Sequence, residues 1–148
     1  MVFETHSPQE TQALGERLGR ILQAGDVVSL VGELGAGKTC FVRGLVRGLG
    51  GSPRAVSSPT FVLLNVYDGG RLTVYHLDAY RVGAEDLEAI GFSELLDQGG
   101  VVVVEWARRV AELLPPTRIH VCIEATAEEG RRIEVERRTG GGARPEGA

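Results

Sequence analysis

Residues Gly32 to Thr39 read Gly-Glu-Leu-Gly-Ala-Gly-Lys-Thr, which satisfies the pattern G-x-x-x-x-G-K-[ST] without a gap. Few short patterns restrict a fold as tightly. A buried strand must enter the turn, glycines must let the backbone curl around an anion, and a helix must leave with its positive end aimed at the same point. The flanking residues comply. Val27-Val28-Ser29-Leu30-Val31 is an apolar run of strand length, and Phe41, Val42, Leu45, Val46 and Leu49 recur at helical spacing over Lys38 to Leu49. In such a loop Gly32, Glu33, Leu34, Gly35, Ala36, Gly37, Lys38, Thr39 and Cys40 form the phosphate-binding stretch. The Lys38 ammonium reaches the β and γ phosphates, and the Thr39 hydroxyl ligates Mg²⁺. The bland alternative is a chance match in a chain with 21 glycines. It requires the one lysine of the chain, against fifteen arginines, to fall at this position. A compact ammonium fits between phosphates where a forked guanidinium does not.

The remaining composition narrows the function classes. At 148 residues the chain is expected to be a single domain over residues 1–138, large enough to bury a core, with a disordered tail over 139–148 that is rich in glycine, alanine, proline and charge. The net charge is −4 and the arginines are scattered, with pairs at Arg108-Arg109, Arg131-Arg132 and Arg137-Arg138 that read as solvated surface. Direct high-affinity nucleic-acid binding is therefore not favoured. No apolar stretch approaches the ~20 residues of a membrane span, and the opening residues do not resemble a signal peptide. A soluble, cytoplasmic protein is expected. Cys40 and Cys122 lack metal-ligand spacing and read as two buried free thiols.

Along the chain, Ser7-Pro8-Gln9-Glu10 predicts a helix start with a serine N-cap, a proline in the first turn and a glutamate closing a capping box. Leu14, Leu18, Ile21 and Leu22 supply its apolar face. The helix after the P-loop is expected to end at Gly50-Gly51. Phe61 to Tyr67 and Arg71 to Leu77, joined by Asp68-Gly69-Gly70, predict an antiparallel hairpin. Residues 84–98 read as helical, interrupted near Gly91, with Leu87, Ile90, Phe92, Leu95 and Leu96 as the apolar set. Val101 to Val104 reads as a strand buried on both faces, Ala107 to Leu114 as a short helix, and Arg118 to Glu124 with Arg132 to Arg137 as a final hairpin. The sum is an α/β fold of the P-loop type, three layers α/β/α, whose mixed central sheet includes an antiparallel hairpin.

A P-loop binds nucleotide; hydrolysis or transfer also needs an acid that organises the metal and a group that senses the γ phosphate. Glu105 ends Val-Val-Val-Val-Glu, and Asp78 ends Val-Tyr-His-Leu-Asp. Each pattern delivers a carboxylate to the C-terminal edge of a sheet, where ligands bind in open α/β folds. Either acid could also be an ordinary strand end. Ser58-Pro59-Thr60 follows the P-loop helix, where a switch segment would meet the γ phosphate or its metal; the plain reading is a proline turn. Asp78, Glu105 and Thr60 are thus the candidate catalytic residues, and Thr39 and Glu105 the candidate metal ligands. Trp106 reads as core or as a pocket wall, Arg81 as a phosphate contact or a partner of Asp78, His76 as at most a supporting residue, and His6 and His120 as surface or strand positions.

The order GELGAGKT, SSPTF, HLDAYR, VVVVEW behind an SPQET helix resembles the bacterial TsaE (formerly YjeE) family over about residues 5 to 124. The most specific pieces are SPTF and HLDAYR, because the P-loop is shared by many unrelated families. The resemblance implies a cytoplasmic, Mg²⁺-dependent ATPase of tRNA threonylcarbamoyladenosine (t6A) synthesis, which supports the TsaB and TsaD proteins as they modify adenosine 37 and meets tRNA only through them. It implies that Lys38 and Thr39 bind phosphate and Mg²⁺, that Thr60 lies in a switch-like loop, and that Asp78 and Glu105 form the acidic pair, with Glu105 the metal ligand. Two positions depart from the family's usual pattern: Cys40 stands in place of a second threonine, and Arg108 in place of an acid.

Other classes compete with this reading. A guanine-selective switch is excluded in its usual form, because Asn-Lys-x-Asp needs a second lysine. A small-molecule kinase shares the same core, although 148 residues leave little sequence for a lid and an acceptor pocket. A nucleotide-dependent scaffold would need binding without turnover.

Overall fold

A computed structural model describes residues 1–33, 36–57, 63–79 and 84–139. Its framework is one seven-stranded sheet. The strands are β1 (Val2–Thr5), β2 (Val27–Val31), β3 (Leu64–Tyr67), β4 (Val74–Asp78), β5 (Val101–Glu105), β6 (Arg118–Ala125) and β7 (Arg131–Arg138). They lie in the order β1-β7-β6-β2-β5-β4-β3. The inner four, β6, β2, β5 and β4, run parallel, while β3, β7 and β1 pair antiparallel at the flanks. This is the mixed sheet expected from the sequence. The helices are α1 (Pro8–Ile21), α2 (Lys38–Gly48), α3 (Ala84–Ala89) and α4 (Phe92–Leu96).

Alternation along the strands divides the core between two faces. Val28, Leu30, Val101, Val103, Val121 and Ile123 face α1 and α2, whereas Val27, Val31, Val102 and Val104 share the other face with Leu87, Phe92 and Val110. All five residues of β2 and all five of β5 are buried, because each strand has a parallel neighbour on both sides and helical cover on both faces. The alternating sides explain why Val101 to Val104 carries no polar residue.

The α1 and α2 helices cross at backbone contact. A Cβ placed on Gly15 would lie 2.2 Å from the Phe41 carbonyl oxygen, and one on Gly19 would lie 2.2 Å from that of Leu45. From the other side, a Cβ on Gly44 would meet the Gln12 carbonyl oxygen at 1.9 Å, and one on Gly48 that of Glu16 at 2.2 Å. Each helix therefore presents two glycines four residues apart to the other's carbonyls, and only hydrogen fits in the gap. The glycine spacing in both helices was available in the sequence; the apolar periodicity drew attention away from it.

Caps and loops explain most local boundaries. The Ser7 hydroxyl accepts from Glu10 N–H at 3.1 Å, and Glu10 Oε1 accepts from His6 N–H at 2.7 Å. The serine half of the expected box therefore forms, while the glutamate takes the N–H of His6 instead of that of Ser7. At the end of α2, Gly50 N–H donates to Arg47 O and Gly51 N–H to Val46 O, a left-handed cap made possible by φ +90° at Gly50. The predicted β3–β4 hairpin forms, with Tyr67 opposite Val74, so its connection spans residues 68–73 rather than three residues. The loop is longer because Arg71 docks it. Arg71 N–H donates to Leu49 O at 2.6 Å, and its guanidinium donates to Leu22 O and Gly19 O at the end of α1.

Several expectations need correction. Ile21 is 65% exposed, since the burial of α1 follows Leu14, Leu18 and Leu22. Ile90 also faces outward, because Gly91 at φ +91° breaks the 84–98 stretch into two short helices. The short helix expected after β5 forms over Ala107–Leu113 as a 3₁₀ helix kinked at Val110. The two cysteines are half-buried instead of buried. Strand β1 was not anticipated, being too short to announce itself; it exists because β7 offers an open edge. No helix among the described residues is long and apolar enough to cross a membrane.

The crossing makes a direct prediction. Gly44→Ala should lower the stability by about 1–3 kcal/mol or more, as an overpacked contact against backbone cannot relax by a rotamer change. Gly69→Ala, where the added carbon meets nothing within 4 Å, should stay within about 0.5 kcal/mol of the parent. Urea unfolding midpoints of the two variants would compare them; equal midpoints would contradict the backbone-contact description.

Candidate functional site

The inner parallel strands all end on the same side, so β2, β4 and β5 bring their C-terminal residues to one edge of the sheet. There the chain leaves β2 into the P-loop. A Cβ on Gly32 would lie 2.8 Å from the Ile123 carbonyl oxygen, so the first motif glycine is demanded by the neighbouring strand. Gly37 is the N-cap of α2 at φ +104°, a conformation an L side chain rarely adopts, and as a glycine it supplies no side-chain cap. Its place at the start of α2 thus keeps a capping side chain out of the position where a helix N-terminus receives an anion.

Four ionisable side chains gather beside that helix start, all buried: His76 at 0% exposure, Glu105 at 2%, Asp78 at 3% and Lys38 at 6%. Asp78 and Glu105 are register partners on parallel strands, so their carboxylates emerge side by side. The Lys38 ammonium lies 4.0 Å from Glu105 Oε1, donates to Gly32 O at 2.6 Å, and sits 3.8 Å from the centre of the Trp106 ring. Burial lowers the Lys38 pKa from its ordinary value, and the charges of Glu105, Asp78 and Glu33 oppose that shift. Trp106 reaches this position through a left-handed backbone at φ 58°, held as its N–H donates to Leu30 O. A bulky residue in that region is strained, and such strain persists where surroundings over-determine it. The pocket-wall reading of Trp106 thus has a geometric basis in the ring stacked on Lys38.

His76 takes the supporting place that the sequence allowed it. Its Nε2 lies 2.5 Å from Glu105 Oε2 and its Nδ1 lies 3.0 Å from the Tyr67 hydroxyl, so both ring nitrogens are engaged inside the protein. The signal was present in Val74, His76 and Asp78, which alternate onto one face of β4 and make the histidine a same-side neighbour of the acid. Burial raises the Tyr67 pKa, and hydrogen bonding with Ser57 opposes that.

Arg131 was misjudged as solvated surface. From the start of β7 its Nε donates to Ala36 O of the P-loop at 2.7 Å, and its NH1 donates to Gly130 O at 2.7 Å. Nearby, the Thr5 and Thr11 hydroxyls share a buried hydrogen bond of 2.7 Å, and Cys40 Sγ donates to Pro8 O at 3.0 Å, so the N-terminus of α1 is tied to the first turn of α2. Burial raises the Cys40 pKa, which favours the neutral thiol at that position. Between these elements runs a cleft of about 340 Å³ bordered by Thr11, Gly37, Cys40, Glu129 and Arg131.

Of the residues singled out from sequence, Gly32, Glu33, Ala36, Gly37, Lys38, Thr39 and Cys40 form the described part of the P-loop and helix start, and Asp78 and Glu105 stand beside them. Leu34, Gly35, Ser58, Pro59, Thr60, Arg81, residues 140–148 and the side chains of Arg108 and Arg109 lie outside the described residues. His120 is a strand residue of β6, with Nδ1 at 2.8 Å from the Ser29 hydroxyl.

Comparison with known proteins agrees with this architecture. The family model described as "Threonylcarbamoyl adenosine biosynthesis protein TsaE" matches residues 5–133. A protein of Treponema pallidum named tRNA threonylcarbamoyladenosine biosynthesis protein TsaE is 46% identical over 132 residues, covering 88% of this chain and 96% of that protein. The protein of the same name from Bacillus subtilis is 40% identical over 131 residues, covering 88% of this chain and 82% of its own. The crystal structure of Bacillus subtilis YdiB superimposes with a TM-score of 0.77 at 33% identity, covering 95% of this chain and 86% of that one. With its mixed sheet, its P-loop and its paired strand-end acids, the chain belongs to the TsaE family of t6A biosynthesis proteins.

Proposed function

We propose that the protein is a Mg²⁺-dependent ATPase, acting in the cytoplasm in support of TsaB and TsaD during threonylcarbamoylation of adenosine 37 of tRNA. The observation that carries the reading is the meeting of Lys38, Asp78 and Glu105 beside a helix start with glycine at its N-cap. In this reading the P-loop amides and Lys38 hold the β and γ phosphates. Lys38 exchanges its bond to Gly32 O for phosphate oxygens, while Trp106 keeps the ammonium from bulk water. The nucleoside extends past Gly37 and Cys40 into the cleft beside Thr11 and Arg131, whose size lies at the lower end of small-molecule sites.

The donor set suits Mg²⁺. Two buried carboxylates face one buried ammonium, an excess of negative charge, and all the available ligand atoms there are hard oxygens. Among the described residues no group of three or more His, Cys, Asp or Glu could hold a metal unaided, which fits a cation bound through one or two carboxylates and the substrate's own phosphates. Thr39 and Glu105 would hold it, with Asp78 alongside. When bound, Mg²⁺ neutralises charge that develops on the phosphate oxygens. Glu105 and Asp78 would accept from the attacking water and so orient it, with Thr60 as the residue that registers the γ phosphate.

Lys38→Ala and Thr39→Ala should each weaken Mg·ATP binding at least about tenfold, the loss of roughly one charge-assisted contact, with unchanged far-ultraviolet circular dichroism. Calorimetric titration would measure this, and wild-type affinity in both variants would sink the assignment. Glu105→Ala should reduce kcat about 10²-fold with little change in nucleotide affinity, in line with a positioned acid or base. The same phenotype in Asp78→Ala alone would reverse the roles of the two acids. ATP consumption should be slow with the protein alone and rise on adding TsaB and TsaD; no stimulation, with phosphate appearing on a small metabolite, would favour a kinase.

A further inference from the structure

Glu105 is the end of a buried hydrogen-bond chain that crosses three strands. The antiparallel register places Asn65 opposite His76 and Tyr67 opposite Val74, so Asn65, Tyr67 and His76 share one face of the β3–β4 pair. On the other side of β4, the parallel register places Glu105 on that same face. The side chains complete a path. Ser57 N–H lies 3.3 Å from the Tyr67 hydroxyl, that hydroxyl lies 3.0 Å from His76 Nδ1, and His76 Nε2 lies 2.5 Å from Glu105 Oε2.

The direction of the chain follows from counting protons. The Tyr67 hydroxyl has one proton and two acceptors within reach, His76 Nδ1 and the Ser57 carbonyl at 3.1 Å. That carbonyl already receives Asn65 Nδ2–H at 3.3 Å, and the hydroxyl oxygen already receives Ser57 N–H. With Glu105 as a carboxylate, Nε2 must carry a proton, or two lone pairs would face each other at 2.5 Å inside the protein. In the tautomer with its single proton on Nε2, Nδ1 is the acceptor, and the 3.0 Å contact lets the Tyr67 hydroxyl donate to it.

We propose that Tyr67 and His76 are positioning residues that hold the Glu105 carboxylate through donors running from Ser57 N–H to Tyr67, from Tyr67 to His76 Nδ1, and from His76 Nε2–H to Glu105 Oε2. This rests on the ATPase reading for its catalytic consequence, and on the geometry for the chain itself. The arrangement commits Oε2 and leaves Oε1 facing Lys38, so the carboxylate has one orientation instead of two rotamers. It also fastens the acid to the backbone of Ser57, one residue before the stretch Ser58-Pro59-Thr60. An acid on one strand end and the entrance to the candidate γ-phosphate segment thereby share one set of hydrogen bonds.

Two measurements test this. Nitrogen-15 spectra of the full-length protein should show His76 protonated on Nε2 with Nδ1 accepting, and Tyr67→Phe should move the Nδ1 resonance. A proton on Nδ1 would overturn the assigned direction, and the spectrum decides this even if the protein hydrolyses no ATP. In kinetics with TsaB and TsaD present, Tyr67→Phe should lower kcat about three- to tenfold while leaving the KM for ATP unchanged. In the Glu105→Gln background it should cost almost nothing more. Full wild-type kcat in Tyr67→Phe, or a loss that adds undiminished to that of Glu105→Gln, would overturn the positioning role. His76 is fully buried, so His76→Gln, which keeps a donor toward Glu105, should recover most of the kcat that His76→Leu loses. Equal losses in the two would count against the role as well. A wild-type protein that neither binds nor hydrolyses ATP would instead defeat the ATPase reading.

Discussion

Lys38 is a buried ammonium placed beside two buried carboxylates, and the site depends on that juxtaposition. At 6% exposure the burial lowers its pKa, and the charges of Glu105, Asp78 and Glu33 oppose that shift. The dependence is mutual, because Asp78 and Glu105 stand on adjacent strand ends and Lys38 lies 4.0 Å from Glu105 Oε1. Breaking a buried pair by removing one partner leaves an uncompensated charge, a larger penalty than the pair's own net worth. Much of the remaining structure serves this balance: parallel β2, β5 and β4 bring the two acids to the edge where the P-loop turns, and Trp106 accepts backbone strain to cover the ammonium.

The phosphate-binding loop is braced from the opposite side by residues remote in sequence. Arg131 holds Ala36 O across 95 positions, and α1 contributes Pro8 O to Cys40 and the buried pair of threonines. The Arg131 contact is made to a backbone carbonyl of the loop and so fixes Ala36 without depending on a loop side chain, whereas the tie to α1 goes through the Cys40 thiol. The β6–β7 hairpin is therefore part of the site's support as well as the flank of the sheet.

Much of the site was legible because its chemistry and its chain geometry coincide. Gly32 and Gly37 stand where a neighbouring carbonyl and a left-handed turn require them, and Glu105 ends a run whose lack of polarity announces a strand covered on both faces. What escaped was set by contacts between distant segments. His76 reads from sequence as at most a supporting residue, and only the register shows that it joins Glu105 to Tyr67. Arg131 looked like surface because nothing local shows that its guanidinium reaches the P-loop. The hairpin was drawn too tight because Arg71 satisfies carbonyls at the end of α1, a tertiary demand that overrode the turn signal. Ile21 and Ile90 were placed inward by a periodicity that ends where their helices end.

The glycine contact between α1 and α2 has a mechanical consequence. Two helices whose carbonyls meet hydrogens at four interlocked positions behave as a toothed joint: α2 can neither slide along α1 nor roll against it without bringing backbone into backbone. The anion-facing end of α2 is thus a fixed anvil. Any displacement near the start of α2 must be taken up across the sheet edge, where the P-loop helix meets Trp106 and Glu105 through side chains that can change partners. The directions open to movement are set by where the glycines forbid it.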